Sequence, residues 1–188
     1  MKDLRSRYLI KNTLIFTLGN IGSKVISFFL IPLYTNVLTT TQYGITDLVT
    51  TIMTVAVPIL TLNICESVMR FGLDKNSDRE RNIQIGTLVF IVGMTIGLLM
   101  IPLCKTFTRV SEYVVYIYFY TLTYAASQLY LCDLRGKELL IAYAVGSVLQ
   151  TFCIATFNIV FLVVLHWGIK GYLLAYILAN SVVAIYAI

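Results

Sequence analysis

Charged residues are scarce in this sequence: Asp, Glu, Lys and Arg make up 12% of its 188 residues, whereas 59% are hydrophobic. An ordinary soluble domain carries about twice this share of charge, so the composition excludes that class. The net charge of +5 does not indicate nucleic-acid binding, because the basic residues fall between apolar runs and form no stripe. The mean hydropathy of +0.85 is that of an integral membrane protein.

The sequence also lacks the motifs of soluble enzymes and metal sites. It has no P-loop, GxGxxG, HExxH or CxxC motif, and its single histidine, His166, lies beside Trp167 at the edge of an apolar run. Such a residue set is poor for catalysis, so we expect neither an enzyme nor a bound metal or cofactor. The four cysteines, at positions 65, 104, 132 and 153, lack metal or disulfide spacing, and we interpret them as small core residues.

What the sequence has instead is long apolar runs. A helix needs about 20 apolar residues to cross a bilayer. No linker rich in Gly, Pro or Ser separates the runs, so we expect one all-α transmembrane domain over residues 1–188. Six windows meet the required length and predict a bundle of six spans: 12–35, 45–70, 83–103, 112–134, 139–165 and 171–188.

Lysines and arginines in the short loops predict the orientation, because cytoplasmic loops retain them in excess. The basic N-terminus is followed by no cleavage pattern, so we interpret the first run as a retained helix in the cell membrane. The last run is still apolar at Ile188, and we expect that the chain is truncated there. A cytoplasmic N-terminus places ten cations inside, against Lys105, Arg109 and Lys170 outside: Lys2, Arg5, Arg7, Lys11, Arg70, Lys75, Arg79, Arg81, Arg135 and Lys137.

Small residues and two prolines predict how the helices meet. Gly93 with Gly97, and Ala175 with Ala179, are four apart and favour close helix contacts. Pro32 and Pro58, inside the first and second windows, each predict a kink, because proline cannot donate a backbone hydrogen bond. Three amide side chains in later runs are interpreted as hydrogen-bonding residues between helices: Gln150, Asn158 and Asn180.

The first apolar run contains a stripe of polar residues that includes Lys24. A charge at mid-membrane costs about 3 kcal/mol, so the Lys24 side chain has to face protein or water. One interpretation is an ion pair with Asp47 or Glu66, or a side chain that snorkels outwards. The other is a cation in a water-filled cavity that meets an anionic substrate, which the stripe favours. Five residues share its helix face, because they are spaced by 4, 3, 4 and 3: Thr13, Thr17, Asn20, Lys24 and Ser27.

The second and fourth runs add further candidates. Glu66 and Arg70 are four apart, which favours a structural ion pair; alternatively Asp47 or Glu66 carries a coupling ion. In the fourth run a stripe of tyrosines extends beyond what an aromatic belt requires. Phenols suit sugar rings as well as helix packing. The stripe follows helical spacing: Tyr113, Tyr116, Tyr120, Tyr124 and Ser127.

Several different short motifs occur along the chain. The N-terminal series is Lys11-Asn-Thr-Leu-Ile-Phe16, Gly19-Asn20, Gly22-Ser-Lys24, Pro32-Leu-Tyr-Thr35 and Tyr43-Gly44. It resembles the signature of bacterial polysaccharide (O-antigen type) flippases, in the multidrug/oligosaccharidyl-lipid/polysaccharide (MOP) exporter superfamily. The resemblance covers nearly the whole chain, with weaker matches further on: Glu66, Arg70-Phe71, Asp74-Lys75, Arg135-Gly136, Trp167-Gly168 and Gly171-Tyr172.

The resemblance implies a transporter of two six-helix lobes, of which this chain is the first. Such a transporter flips undecaprenyl-diphosphate-linked oligosaccharide across the cytoplasmic membrane by alternating access, for polysaccharide, O-antigen or capsule biosynthesis. Its expected partners are the lipid-linked oligosaccharide, membrane lipids and the second lobe. Two alternatives stay open: a cation-coupled multidrug exporter of the same superfamily, and a non-transporting scaffold or inactive remnant.

The resemblance also bears on the candidate site. Relatives use cationic cavity residues, including on the first helix, and Lys24 matches these in kind. We expect Lys24, with Asn20 and Thr17, to contact the diphosphate or acidic sugars of the substrate. We expect Tyr120 and Tyr124 to flank the glycan.

Overall fold

The structure is a computed structural model that describes residues 24–74, 78–107 and 111–188. These residues form helices joined by short connections, without a strand among them, as the sequence predicts for an all-α protein. The first helix, α1, is described over Lys24–Val37. The others are α2 (Thr40–Thr61), α3 (Ile64–Gly72), α4 (Arg79–Phe107), α5 (Val114–Gly136), α6 (Leu140–Asn158) and α7 (Gly168–Ala187). A 3-10 turn, Ser111–Tyr113, precedes α5, and a π-helical segment, Ile159–Val164, extends α6.

Four of the described helical segments are long and apolar enough to cross a membrane: Thr40–Thr61, Arg79–Thr106, Leu140–Val164 and Gly168–Ala187. The chain is therefore a multi-pass membrane protein. Large apolar side chains on the outside agree with this, since Leu99 is 72% exposed and Phe29 is 70% exposed. The prediction of six spans is confirmed for four. The predicted fourth span is α5, whose five tyrosines make it less apolar, and part of the first lies outside the described residues.

The second predicted window, residues 45–70, is two helices, which corrects the prediction of a single one. Leu62 and Asn63 separate α2 from α3, and both adopt the left-handed conformation, with φ of 49° and 50°. The Asn63 N–H donates to the Pro58 carbonyl at 3.0 Å, which ends α2 with a turn. The break lies after Pro58, whereas a proline removes a hydrogen bond to the turn before it, so the left-handed pair Leu62 and Asn63 ends the helix and the kink at Pro58 stays a prediction.

Small residues allow the close contacts that the sequence predicts. Gly93 of α4 packs on the backbone beside the break, where a Cβ would overlap the carbonyl oxygen of Leu60. Gly97 is less confined, since a Cβ there would lie 3.4 Å from the Leu60 side chain. Ala175 and Ala179 have no exposed surface on α7, which packs closely against α5 and α6. The predicted close contact is confirmed for Gly93, Ala175 and Ala179, while Gly97 has ordinary room.

A disulfide joins α3 to α5 through Cys65 and Cys132. Our interpretation of all four cysteines as unpaired core residues is wrong for this pair. The two lie 67 residues apart, and no local spacing reveals the pairing. Near the same contact, a Cβ on Gly72 would lie 2.8 Å from the Cα of Gly136, so the helix backbones touch.

The starts of three helices meet at one end of the bundle. A Cβ on Gly168 of α7 would lie 3.1 Å from Nε2 of Gln42 in α2. The ammonium of Lys170 in α7 lies 2.8 Å from the carboxylate of Glu112, which is just before α5. The chain thus returns to this end repeatedly, as a helix bundle requires. A cytoplasmic N-terminus stays a prediction from the charge count.

Tyrosines form the centre of the main core and hold three helices together. Tyr34 of α1, Tyr120 of α5 and Tyr172 of α7 are buried, and Tyr176 packs against them. The ring of Tyr176 lies 5.1 Å from that of Tyr120 and 4.7 Å from that of Tyr172, measured between centroids. These contacts are in the range of favourable aromatic pairs. They fix α1, α5 and α7 around the cavity described next.

Candidate functional site

A cavity of about 370 Å³ lies between α1, α5, α6 and α7. This volume falls in the range of small-molecule sites. We call it the lysine cavity, and α1 contributes Lys24, Ser27, Leu30 and Tyr34 to its wall. The remaining wall comes from α5 with Tyr120, Tyr124 and Gln128, from α6 with Gln150, Thr151 and Ile154, and from α7 with Tyr176 and Asn180.

The α1 wall follows the helical periodicity of the predicted polar stripe. Its residues are three or four apart and therefore share one face of the helix. Lys24 and Ser27, the two described members of the stripe, both lie on this wall. The other predicted contacts, Asn20 and Thr17, lie outside the described residues, as does Thr13.

Lys24 supplies the only charge among the described residues that line the lysine cavity. No carboxylate of the described chain lies within 4 Å of its ammonium. The predicted alternative, an ion pair with Asp47 or Glu66, is therefore not formed. Lys24 is exposed as well as lining the cavity, so its ammonium is accessible to an anion.

The tyrosines predicted to flank a glycan line the same cavity. Tyr120 is 5% exposed and its ring lies 6.3 Å from that of Tyr124, so both also pack in the core. The structure thus brings Lys24, Tyr120 and Tyr124 together, while contact with a glycan stays a prediction. Ser127 points away, since it is buried and its hydroxyl donates to the Tyr124 carbonyl at 2.8 Å.

The far wall contains residues whose part in the cavity the sequence analysis missed. Nε2 of Gln150 donates to Oδ1 of Asn180 at 2.7 Å, which confirms an interhelical hydrogen bond for this pair. Asn158 differs, because its Nδ2 donates within its own helix, to the Ile154 carbonyl at 2.8 Å. Gln128 could have been predicted from the sequence, because it lies one helical turn after Tyr124 and so shares its face of α5.

A second cavity, of about 270 Å³, lies between the α2–α3 break, α4 and α5. We call it the glutamate cavity, because Glu66 supplies the only charge among the described residues of its wall. Asn63 and Cys65 also line it, so the break itself forms one side. Tyr124 and Gln128 line both cavities, which therefore adjoin along the face of α5 that these two residues share.

A family model described as polysaccharide biosynthesis protein matches residues 9–188. The chain belongs to the polysaccharide biosynthesis protein family. This confirms the resemblance found from the sequence motifs. Comparison with curated proteins and with solved structures gave no match.

The remaining charged candidates of this family member lie apart from the lysine cavity. Glu66 and Arg70 form no ion pair within 4 Å in the described chain, although the sequence predicts one. Both side chains are exposed, and water or lipid headgroups weaken such a pair. Asp47 and Arg70 line neither cavity. A role of Asp47 or Glu66 in ion coupling stays a prediction.

Proposed function

We propose that this member of the polysaccharide biosynthesis family is a flippase for oligosaccharide linked to undecaprenyl diphosphate. One observation carries the proposal: among the residues that the structure describes, one lysine, without a carboxylate partner, lies in a cavity whose other polar groups are phenols, amides and hydroxyls. A diphosphate is an anion that an ammonium binds well where water is partly excluded. Tyrosine rings beside it offer flat apolar faces to sugars.

The proposed transporter is larger than one helix bundle. The chain forms a lobe of six spans in the cytoplasmic membrane, with its N-terminus inside, and a second lobe of six spans completes the pathway. Alternating access then exposes the lysine cavity first to one side and then to the other. The family resemblance supports this arrangement. The meeting of the α2, α5 and α7 starts at one end is also what it requires.

Substitutions of Lys24 in the native gene test the proposal. Lys24→Gln and Lys24→Ala remove the charge that holds the diphosphate, so we expect surface polysaccharide to fall by about tenfold or more. Lys24→Arg keeps the charge and retains export. The measurement is surface polysaccharide by immunoblot, normalised to the amount of the protein in the membrane. Lys105→Gln is the matched control, because Lys105 is exposed near the end of α4 and lines neither cavity.

The contradicting result is normal surface polysaccharide in the Lys24→Ala strain with a normal amount of protein. Equal loss in the Lys24→Ala and Lys105→Gln strains would also contradict a specific role of the cavity.

A second candidate function is export of drugs coupled to a cation, and the glutamate cavity favours it. Glu66 is a lone carboxylate in a cavity next to the lysine cavity, where it could carry the coupling ion. A Glu66→Gln strain, tested for drug resistance as well as for surface polysaccharide, separates the two functions. Loss of drug resistance with normal surface polysaccharide supports drug export. Loss of surface polysaccharide with normal drug resistance supports the flippase.

A further inference from the structure

A third cavity, of about 550 Å³, lies between α2, α4 and α5 and is larger than the other two. We call it the apolar groove, because aliphatic side chains such as Ile52 of α2 and Ile101 of α4 form most of its wall. It opens to the outside of the bundle, since Val55 and Ile59 in its wall are 57% and 66% exposed. Its volume falls in the range of ligand sites. An open apolar groove of this kind marks a surface that binds lipid or another protein.

The hydroxyl groups among the described residues of this wall have already formed hydrogen bonds. The Thr51 hydroxyl donates to a carbonyl of its own helix at 3.0 Å, and the Thr121 hydroxyl does so at 2.7 Å. The Tyr118 hydroxyl donates to the Met94 carbonyl at 3.2 Å. The described wall also contains no charged side chain. A polar ligand would lose its hydrogen bonds to water here without replacement, so the wall suits a hydrocarbon chain.

The groove extends through one leaflet of the membrane. Its deep end is at Leu60, whose carbonyl packs against Gly93, the central residue of α4. Because α4 is long enough to cross the membrane, its centre lies near the middle of the bilayer. From Leu60 the groove follows α2 to Thr51, a distance of about 14 Å at the rise of an α-helix. The hydrocarbon of one leaflet is about 15 Å thick, so the groove has the length of a lipid acyl chain.

Two charges of opposite sign lie at the other end of the groove. Lys105 is four residues after Ile101 on α4, so it continues the helix face that lines the groove. Asp47 is four residues before Thr51 and does the same on α2. Both side chains are exposed, and neither belongs to an ion pair of the described chain.

This pair of charges selects among lipid headgroups. The phosphate of any phospholipid can pair with the ammonium of Lys105. A purely anionic headgroup is repelled by the Asp47 carboxylate, whereas a headgroup that also carries a primary ammonium can pair with it. The complementary headgroup is therefore that of phosphatidylethanolamine.

We propose that the apolar groove binds phosphatidylethanolamine from the surrounding membrane. One acyl chain lies along α2 and α4, the phosphate pairs with Lys105, and the lipid ammonium pairs with Asp47. Binding of this lipid does not depend on the flippase function, because the apolar groove and the lysine cavity share no lining residue among those described.

Native mass spectrometry of the purified full-length protein tests the headgroup. The protein is titrated with phosphatidylethanolamine and with phosphatidylglycerol that carry the same two acyl chains. Both lipids offer a phosphate to Lys105, but the first alone offers an ammonium to Asp47. We expect wild type to bind phosphatidylethanolamine about fivefold tighter, the effect of one ion pair. Equal binding of the two lipids overturns the proposal.

Two charge variants assign the headgroup contacts. Asp47→Asn should remove the preference, because it weakens phosphatidylethanolamine about fivefold and does not weaken phosphatidylglycerol. Lys105→Gln should weaken both lipids about fivefold, because both have a phosphate. Glu80→Gln is the matched control, since Glu80 is an exposed carboxylate in the first turn of α4, at the opposite end from Lys105. A wild-type preference in Asp47→Asn, or its loss in Glu80→Gln as well, overturns the headgroup contacts.

A variant that fills the groove tests the acyl chain. Ala56→Leu puts extra carbons into the space, so we expect both lipids to bind about tenfold weaker or worse. Ala144→Leu is the matched control, because Ala144 is a half-buried alanine of α6 that lines none of the three cavities. We expect it to bind both lipids like wild type.

Ile59→Asn covers the case in which Ala56→Leu fails to fold, as judged by size exclusion. Ile59 is mostly exposed, so the variant keeps the helix packing but places an amide beside the chain. We expect both lipids to bind it several times more weakly than wild type. Wild-type binding by folded Ala56→Leu and Ile59→Asn overturns the groove.

Other occupants give different masses. Undecaprenyl phosphate that binds tighter than phosphatidylethanolamine, and is lost in Ala56→Leu, indicates an isoprenoid chain and overturns the proposal. A dimer without bound lipid indicates a second copy on the groove and overturns it as well.

Export assays separate this site from the proposed function. Lipid binding with the expected pattern together with normal export by the Lys24→Ala strain supports the groove and contradicts the flippase. Loss of export in that strain without a lipid preference overturns the groove and supports the flippase. Phospholipid is in large excess in the cell membrane, so a severalfold weaker site stays filled and the Lys105→Gln strain remains the control for export.

Discussion

The two cavities along α5 differ in charge and in how the chain builds them. The lysine cavity is larger, about 370 Å³ against about 270 Å³, and the one charged residue among its described lining is a cation. Among the described residues of the glutamate cavity, the one charged residue is an anion. Regular helix faces form the walls of the lysine cavity, whereas the interruption at Leu62 and Asn63 forms one side of the glutamate cavity.

The difference shows two ways of placing a charge inside a membrane protein. A continuous helix places Lys24 by its periodicity and lets neighbouring polar residues on the same face line the space. An interrupted helix places Glu66 at the start of a new segment and leaves room beside the break. Tyr124 and Gln128 line both spaces, so one face of α5 is shared by the cavity with the cation and the cavity with the anion.

Removing the disulfide is the change with the largest expected effect on the glutamate cavity, while the lysine cavity keeps all its lining residues. Cys65 lines the glutamate cavity, and its bond to Cys132 ties α3 to α5 across 67 residues of chain. Replacing both by serine should lower the free energy of unfolding by about 2–4 kcal/mol, because the unfolded chain loses its constraint. Surface polysaccharide, normalised to the amount of the protein in the membrane, should stay within about twofold. Unfolding by sodium dodecyl sulfate in mixed micelles measures the stability.

The other two cysteines provide the control, since Cys104 and Cys153 form no disulfide. Their double serine variant should unfold close to wild type. Titration of four thiols in unreduced, denatured wild-type protein would disprove the disulfide and with it this prediction.

A methyl group at Gly93 is expected to have a somewhat smaller effect. In Gly93→Ala the new Cβ overlaps the Leu60 carbonyl, so α4 has to move away from the break. Overpacking of this kind costs about 1–3 kcal/mol. The measurement is again unfolding in mixed micelles, compared with Gly97→Ala, where a Cβ has ordinary room. Equal stability of the two variants would show that α4 does not press on the break.

Local periodicity accounts for what the sequence predicted of the fold and of the site. The spacing of Lys24 and Ser27 indicated one helix face, and the structure places both on the lysine cavity. The same holds for Tyr120 and Tyr124 on α5, and Gly93 shows the close contact expected of a small residue. In each case the signal lies within a few residues along one helix.

Features that depend on tertiary contacts were not predictable in this way. The bond between Cys65 and Cys132 joins positions far apart in the sequence. Leu62 carries no preference for the left-handed conformation that it adopts at the break. Asn180 was predicted to bond another helix, but its unused donor appears only once Gln150 has taken its oxygen.

Accessibility of position 24 to water tests the central claim most directly. In a Cys104→Ser/Cys153→Ser background, Lys24→Cys and Phe29→Cys are treated in open membrane fragments with a charged, membrane-impermeant methanethiosulfonate. Only a hydrated thiol ionises and reacts. If Lys24 borders a hydrated cavity and the 70% exposed Phe29 faces lipid, the Lys24→Cys protein reacts at least about tenfold faster than the Phe29→Cys protein. Equally slow reaction at both positions would contradict the account.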